Sequence, residues 1–159
     1  MSEQAKTGVV PLDVLRSYDG LSFLKAMIDG TLPQPPMTAT LGFRLTAAEH
    51  GRAVFTGEPR YEYYNPLGSV HAGFAATLLD SALGCSIHST LSKGETYVTA
   101  EFKLNLVRPL TKDTGTVHAE ARIVHRGRTL GTSEGYLRDA ADKLYAHATT
   151  TCIIFPAAG

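Results

Sequence analysis

The stretch from Ala72 to Leu91 is small or apolar on nearly every side, and its only carboxylate is Asp80. An ionised carboxylate is costly to bury without a partner, so Asp80 must be paired, hydrogen-bonded or used as a base. A structural bond from this helix to a strand threonine would explain it as well as a catalytic duty would. Directly upstream runs Asn65-Pro66-Leu67-Gly68-Ser69-Val70-His71-Ala72-Gly73. Pro66 and Gly68 fix a turn there, and the small residues Ala72 and Gly73 open the helix. The N–H groups of a first helical turn, at the positive end of the dipole, form a site for a developing oxyanion, although every helix start carries such groups. Ser69, His71 and Asp80 do not make a nucleophilic triad, because Ser69 lies in no Gly-x-Ser-x-Gly elbow. His71 reads instead as a structural residue bonding the loop to the helix. Cys85 and Cys152 stand far apart, in no CxxC or Cys/His pattern, and His118, His125 and His147 fall in strand patterns without ligand spacing. Neither a metal nor a disulfide is expected, and both cysteines read as small core hydrophobes.

The elements that must hold these residues follow from periodicity. Leu21, Leu24 and Ile28, with Phe23 and Met27, recur at helical spacing after Asp19 or Ser22 as cap, and Gly30 ends the run. Pro33, Pro35 and Pro36 then make an extended connector, which divides a leader, residues 1–36, from a domain over residues 37–159. Phe43 to Ala48 and Ala53 to Gly57 flank Glu49-His50-Gly51 as a hairpin. Tyr61 to His71 is a loop, and Ala72 to Leu91, apolar all round, is a buried helix. Val98, Ala100, Phe102, Leu104 and Leu106 alternate with Thr99, Glu101, Lys103 and Asn105, which predicts a long one-sided strand. Thr114 to His125, Arg128 to Asp139 and Lys143 to Phe155 continue as strands joined by short turns, hence an antiparallel meander. One long helix between a hairpin and four strands hides its surface only if the sheet curls around it. That is an α+β chain of hotdog type, a curved antiparallel sheet wrapped around one buried helix.

Composition narrows the partners. With 159 residues the chain fits one domain, and its 15 basic residues balance 15 acidic ones, so no net field favours nucleic acid or an anionic membrane. Met1 to Val10 has no apolar signal core and no later segment reaches the ~20 apolar residues of a membrane span, so a cytoplasmic location is expected.

Across Leu41 to Phe155 these residues resemble the hotdog thioesterases of the phenylacetic-acid-degradation type, in the 4-hydroxybenzoyl-CoA thioesterase superfamily. The family pattern is Asn-Pro-x-Gly-x-x-His-Gly-Gly leading into a helix with an acid about two turns on, matched here by Asn65, Pro66, Gly68, His71, Gly73 and Asp80. Ala72 departs from it, standing where the first Gly of His-Gly-Gly is usual. The resemblance implies that the Ala72 N–H, with that of Gly73, polarises a thioester carbonyl that Asn65 helps to orient. Asp80 then serves as general base on a water, or as nucleophile, and Thr99 positions the water. It implies no cofactor beyond the coenzyme A of an aromatic or medium-chain acyl-CoA substrate, and a homodimer or dimer-of-dimers tetramer. Coenzyme A carries phosphates, so Arg126 and Arg128, around Gly127, are expected to meet them, with Arg108 the next choice. Two other readings remain at this level: a non-enzymatic acyl-CoA-binding regulatory protein, and a hotdog hydratase or dehydratase.

Overall fold

The computed structural model describes residues 6–157. In chain order it contains α1 (Leu12–Ser17), α2 (Gly20–Ile28), α3 (Pro36–Leu41), β1 (Phe43–Glu49), β2 (Arg52–Gly57), a 3-10 turn (Tyr61–Tyr63), α4 (Ala72–His88), β3 (Glu95–Leu106), β4 (Val117–Arg126), β5 (Leu130–Asp139) and β6 (Leu144–Pro156). The six strands form one antiparallel sheet in the order β1-β2-β4-β5-β6-β3, and α4 packs into its curve. This is the hotdog arrangement.

The sheet can curl this closely because the residues beneath the helix are small. Ala53, Ala119, Ala121, Ala146 and Ala148 are all 1% exposed or less. At Gly135 a Cβ would come within 3.3 Å of a Leu83 methyl, and at Gly131 within 3.0 Å of one on Ile87. Large side chains from α4 fill the space that these positions leave: Phe74, Leu78, Leu79 and Leu83 share one core with Phe43, Phe55, Val117 and Leu137.

Two expectations about the strands need correction. The meander holds for β4, β5 and β6, but β3 pairs with β6 at the sheet edge and not with β4. The segment between β3 and β4 is long enough to carry the chain across the end of the sheet, and Val70 N–H ties it down at Leu110 O, 2.9 Å. Second, β3 does not keep one parity. Its register against β6 shifts between Thr99 and Glu101, a β-bulge at Ala100. Beyond the bulge Phe102 and Leu104 turn inward as expected, whereas before it Val98 faces out, 50% exposed, and Thr99 faces in toward α4.

The N-terminal elements pack on this frame. Asp19 caps α2 by accepting the Ser22 N–H at 3.0 Å and the Ser22 hydroxyl at 2.7 Å, while Leu24 and Met27 enter the main core. Gly20 N–H donates to Leu91 O at 2.9 Å, and a Cβ on Gly20 would lie 1.7 Å from His88 O, so only glycine permits α2 to seat on the end of α4. Pro36 is not part of an extended connector but opens α3, as a proline in a first helical turn can.

Leu83, 0% exposed on the helix face that meets the sheet, has no room to relax around a deletion. Leu83→Ala should cost about 3 kcal/mol, read as a lowered urea midpoint at unchanged slope.

Candidate active site

Four backbone donors at the start of α4 have different fates. His71 N–H donates to Tyr63 O at 2.7 Å, and Phe74 N–H to His71 O at 3.0 Å. Gly73 N–H donates to His71 Nδ1 at 2.9 Å, which makes His71 the N-cap of α4. His71 therefore bonds loop to helix, and Gly73, expected as a second oxyanion donor, has its N–H already engaged. The remaining N–H, that of Ala72, has no partner among the described residues. Because Nδ1 accepts, the neutral His71 ring carries its proton on Nε2.

Asn65 holds the loop in shape. Its Oδ1 accepts the N–H groups of Leu67 at 2.9 Å and Ser69 at 3.4 Å, and its Nδ2 donates to Ser69 Oγ at 3.1 Å. One Nδ2 proton is left over. Gly68, at φ 90°, supplies the left-handed turn that this wrap requires. Asn65, His71 and Ala72 line a groove of about 340 Å³ together with Arg108, Pro109 and Tyr145. Tyr145 had no motif to mark it; its place follows only from β6 beginning beside the segment that follows β3, where the Val107 N–H donates to Tyr145 O at 2.9 Å. Arg108 is held there by a bond to Leu144 O, 2.6 Å.

Asp80 and Thr99 are not in that groove. They face each other from α4 and β3, with Thr99 Oγ1 donating to Asp80 Oδ1 at 3.3 Å. The sheet covers the Leu79 and Leu83 side of α4 completely, but Asp80 is exposed and Ala76, Thr77 and Ser81 are half-exposed. The expectation of a helix buried all round is thus corrected: this flank is covered by no element among the described residues. Partial desolvation still raises the Asp80 pKa above the ordinary carboxylate value, and the Thr99 bond offsets this in part.

Around Asp80 the other titratable groups are neutral. Burial pushes the Cys85 thiol up to about 12, helped by the Asp80 charge, so it is no nucleophile near neutral pH. Burial also pushes His88 down to about 4. Cys152 is buried, with its Sγ 4.0 Å from Thr99 Oγ1.

The expected phosphate contacts separate. Arg126 bonds Glu95 Oε2 at 2.8 Å and the Gly127 carbonyl, so its guanidinium is already employed. Gly127 closes the turn by donating to Leu130 O at 2.8 Å, and Arg128 is exposed beside it. Arg108 lies past the far end of β3, roughly 40 Å away at strand rise. Among the described residues no cluster of three or more His, Cys, Asp or Glu could hold a metal, and no helix is long and apolar enough to cross a membrane.

The fold and this site define a hotdog protein, and comparison with known proteins agrees. The chain belongs to the thioesterase superfamily, whose family profile matches residues 67–146. A Halobacterium salinarum protein provisionally named an esterase is 36% identical over 88 residues; the match covers 54% of this chain and only 56% of that relative. The 1,4-dihydroxy-2-naphthoyl-CoA hydrolase of Listeria monocytogenes is 24% identical over 115 residues, covering 72% of this chain and 92% of the relative. A crystal structure from Ralstonia eutropha, of a phenylacetic acid degradation-related protein provisionally named a thioesterase, superposes with a TM-score of 0.74 at 28% identity over 82% of this chain and 98% of that one.

The raised Asp80 pKa has a sign for stability. A carboxyl whose folded pKa lies above its unfolded value favours folding while protonated, and that contribution is lost as pH rises through the folded pKa. Asp80→Asn should therefore melt at or above the wild-type temperature at pH 7, and the difference should vanish well below pH ~4, where both chains are neutral there. Melting several degrees below wild type at pH 7 would instead give Asp80 a structural job.

Proposed function

We propose that the chain hydrolyses acyl-CoA thioesters, with Asp80 as the general base. The observation that carries this reading is a partly desolvated carboxylate on a helix flank that no described element covers, whose one side-chain hydrogen-bond partner among the described residues is a hydroxyl that can also hold a water. Asp80 takes a proton from a water as its oxygen attacks the thioester carbon. The oxyanion is met by the Ala72 N–H and the spare proton of Asn65 Nδ2. Collapse breaks the C–S bond, and the departing thiolate receives the proton from Asp80, which gives a free acid and coenzyme A. A well-placed donor at an oxyanion is worth about 3 kcal/mol in the barrier.

The same reading makes the active unit a two-fold dimer. Ala72 and Asp80 are eight positions apart on one helix, about 12 Å along its axis, too far to meet one carbon. Two copies of α4 lying antiparallel bring the start of one beside the middle of the other and make two equal sites. The uncovered flank of α4 supports this pairing, as does the separation of the Ala72 groove from Asp80. An antiparallel pairing also brings the Arg108 end of one chain toward the Arg128 end of the other, so both arginines can serve one coenzyme A. A further pairing of such dimers gives a tetramer.

Free thiol release from a panel of acyl-CoAs should be insensitive to chelator, and Asp80→Asn should lower kcat by about 10² or more with KM little changed. Tight binding without release would favour an acyl-CoA sensor, and addition of water across an enoyl group would favour a hydratase.

Sharing of sites has its own test. In a heterodimer of Asn65→Ala and Asp80→Asn chains, one site collects both lesions and the other neither. Co-refolding the two inactive variants should recover about a quarter of wild-type activity for random pairing. Subunit exchange proved by mass without any recovery would place the whole site in one chain.

A further inference from the structure

We infer that Tyr97 sets the length of the acyl group the site accepts, its ring lying over Gly84 as the end wall of a crease between α4 and β3 that begins at Asp80. The inference rests on the thioesterase reading and names the substrate class of that same site: aromatic or short acyl groups, not long fatty chains.

The crease follows from two periodicities. Asp80, Gly84 and His88 recur at every fourth position and form one stripe along α4. Tyr97 and Thr99 are two apart on β3, before its bulge, and share the inward face. Thr99 meets Asp80, and Tyr97 meets Gly84, one helical turn further on. The second contact is tight: a Cβ on Gly84 would lie 2.7 Å from Tyr97 Oη and 3.0 Å from Cε2. Glycine at 84 is what allows the ring to lie down on the helix. Behind it the wall continues, since the His88 ring stands edge-on to Tyr97 at 5.7 Å and Phe23 of α2 packs on His88 at 5.2 Å.

The two surfaces that meet at Asp80 on the two-fold reading differ in chemistry. The crease toward Tyr97 holds a thiol, a phenol and a neutral imidazole, so beyond Asp80 itself it presents no charge. It suits an apolar acyl group and offers nothing to a phosphate. The groove that carries Ala72, which on the two-fold reading reaches Asp80 from the other copy of the chain, instead contains Arg108, an exposed cation. From Asp80 to Gly84 the helix rises about 6 Å, a span that on this inference limits the acyl group to benzoyl or phenylacetyl length before the phenol ring.

The test is the acyl-length profile of kcat/KM, measured by thiol release from straight-chain acyl-CoAs of increasing length and from phenylacetyl-CoA. For Tyr97→Ala the optimum should move to longer chains, with kcat/KM up roughly tenfold for an acyl group two methylenes beyond the wild-type optimum. Tyr97→Phe, which keeps the ring, should retain the wild-type profile. Tyr97→Leu shortens the side chain while keeping it apolar, and gives the same readout should the alanine variant lose its melting transition. A uniform fall at every length in the shortened variants, or a profile that does not move, would overturn the assignment. Should the wild-type chain release thiol from no acyl-CoA, the thioesterase reading itself fails and this inference falls with it.

Discussion

Everything else in the molecule depends on α4 being buried from one side only. The sheet can wrap it because Ala53, Ala119, Ala121, Ala146, Ala148, Gly131 and Gly135 bring strand backbone close to the helix, and the bulk is supplied by the helix. A helix gripped this firmly on the Leu78, Leu79 and Leu83 side needs no cover on the other. That second side is where Gly73, Ala76, Thr77, Asp80 and Ser81 collect, small or polar and half-open to solvent. Grip and exposure are one arrangement: the packing that fixes the axis of α4 also fixes where Asp80 stands and how far it lies from Ala72.

The bulge at Ala100 decides which side chains face that fixed helix. With strict alternation, a strand that turns Phe102 and Leu104 inward would turn Thr99 outward and leave Asp80 facing Val98 or Ala100. One extra residue reverses the parity upstream, so Thr99 and Tyr97 both face α4 while Phe102 and Leu104 keep their core positions. The price is Val98, turned outward on the edge strand and 50% exposed. Bulges commonly stand beside sites for this reason: they re-aim a side chain without rebuilding the sheet.

What the sequence made legible was local. The apolar run of α4, the hairpin at Gly51 and the Asn65 to Gly73 loop each carry their signal within a few residues, and the helix, hairpin and turns lie where periodicity puts them. The hotdog arrangement followed because a buried helix among strands has few ways to be covered. Relations across the chain were not legible. Nothing near Leu106 says that β3 will pair with β6, and nothing in Val98 to Leu106 announces a bulge, since Ala fits either face. Arg126 looked available for phosphate because Glu95, which binds it, is 31 positions away. Gly84 and Tyr97 are both ordinary in sequence; only their contact, made across two elements, gives either of them a meaning.

The donor set at the head of α4 bears on the one departure from the family pattern. His71 takes the Gly73 N–H, so the catalytic reading asks a single backbone donor, that of Ala72, to do what two free N–H groups would share. A backbone donor is indifferent to its own side chain in the hydrogen bond it makes, which is why alanine at 72 is compatible with the role. Its methyl is not neutral in space, however. Helical Cβ atoms lean toward the N-terminus, so at the first helical position the Ala72 methyl leans toward the loop, on the side of the groove shared with Asn65 and Arg108. A glycine would leave that space to the substrate; alanine narrows it. The narrowing falls beside the Ala72 donor, where a thioester would seat, and the Tyr97 ring lies about one turn beyond Asp80. On the proposed thioesterase reading the two constrictions would act on different parts of one substrate, the methyl on how the carbonyl is presented and the ring on how far the acyl group extends.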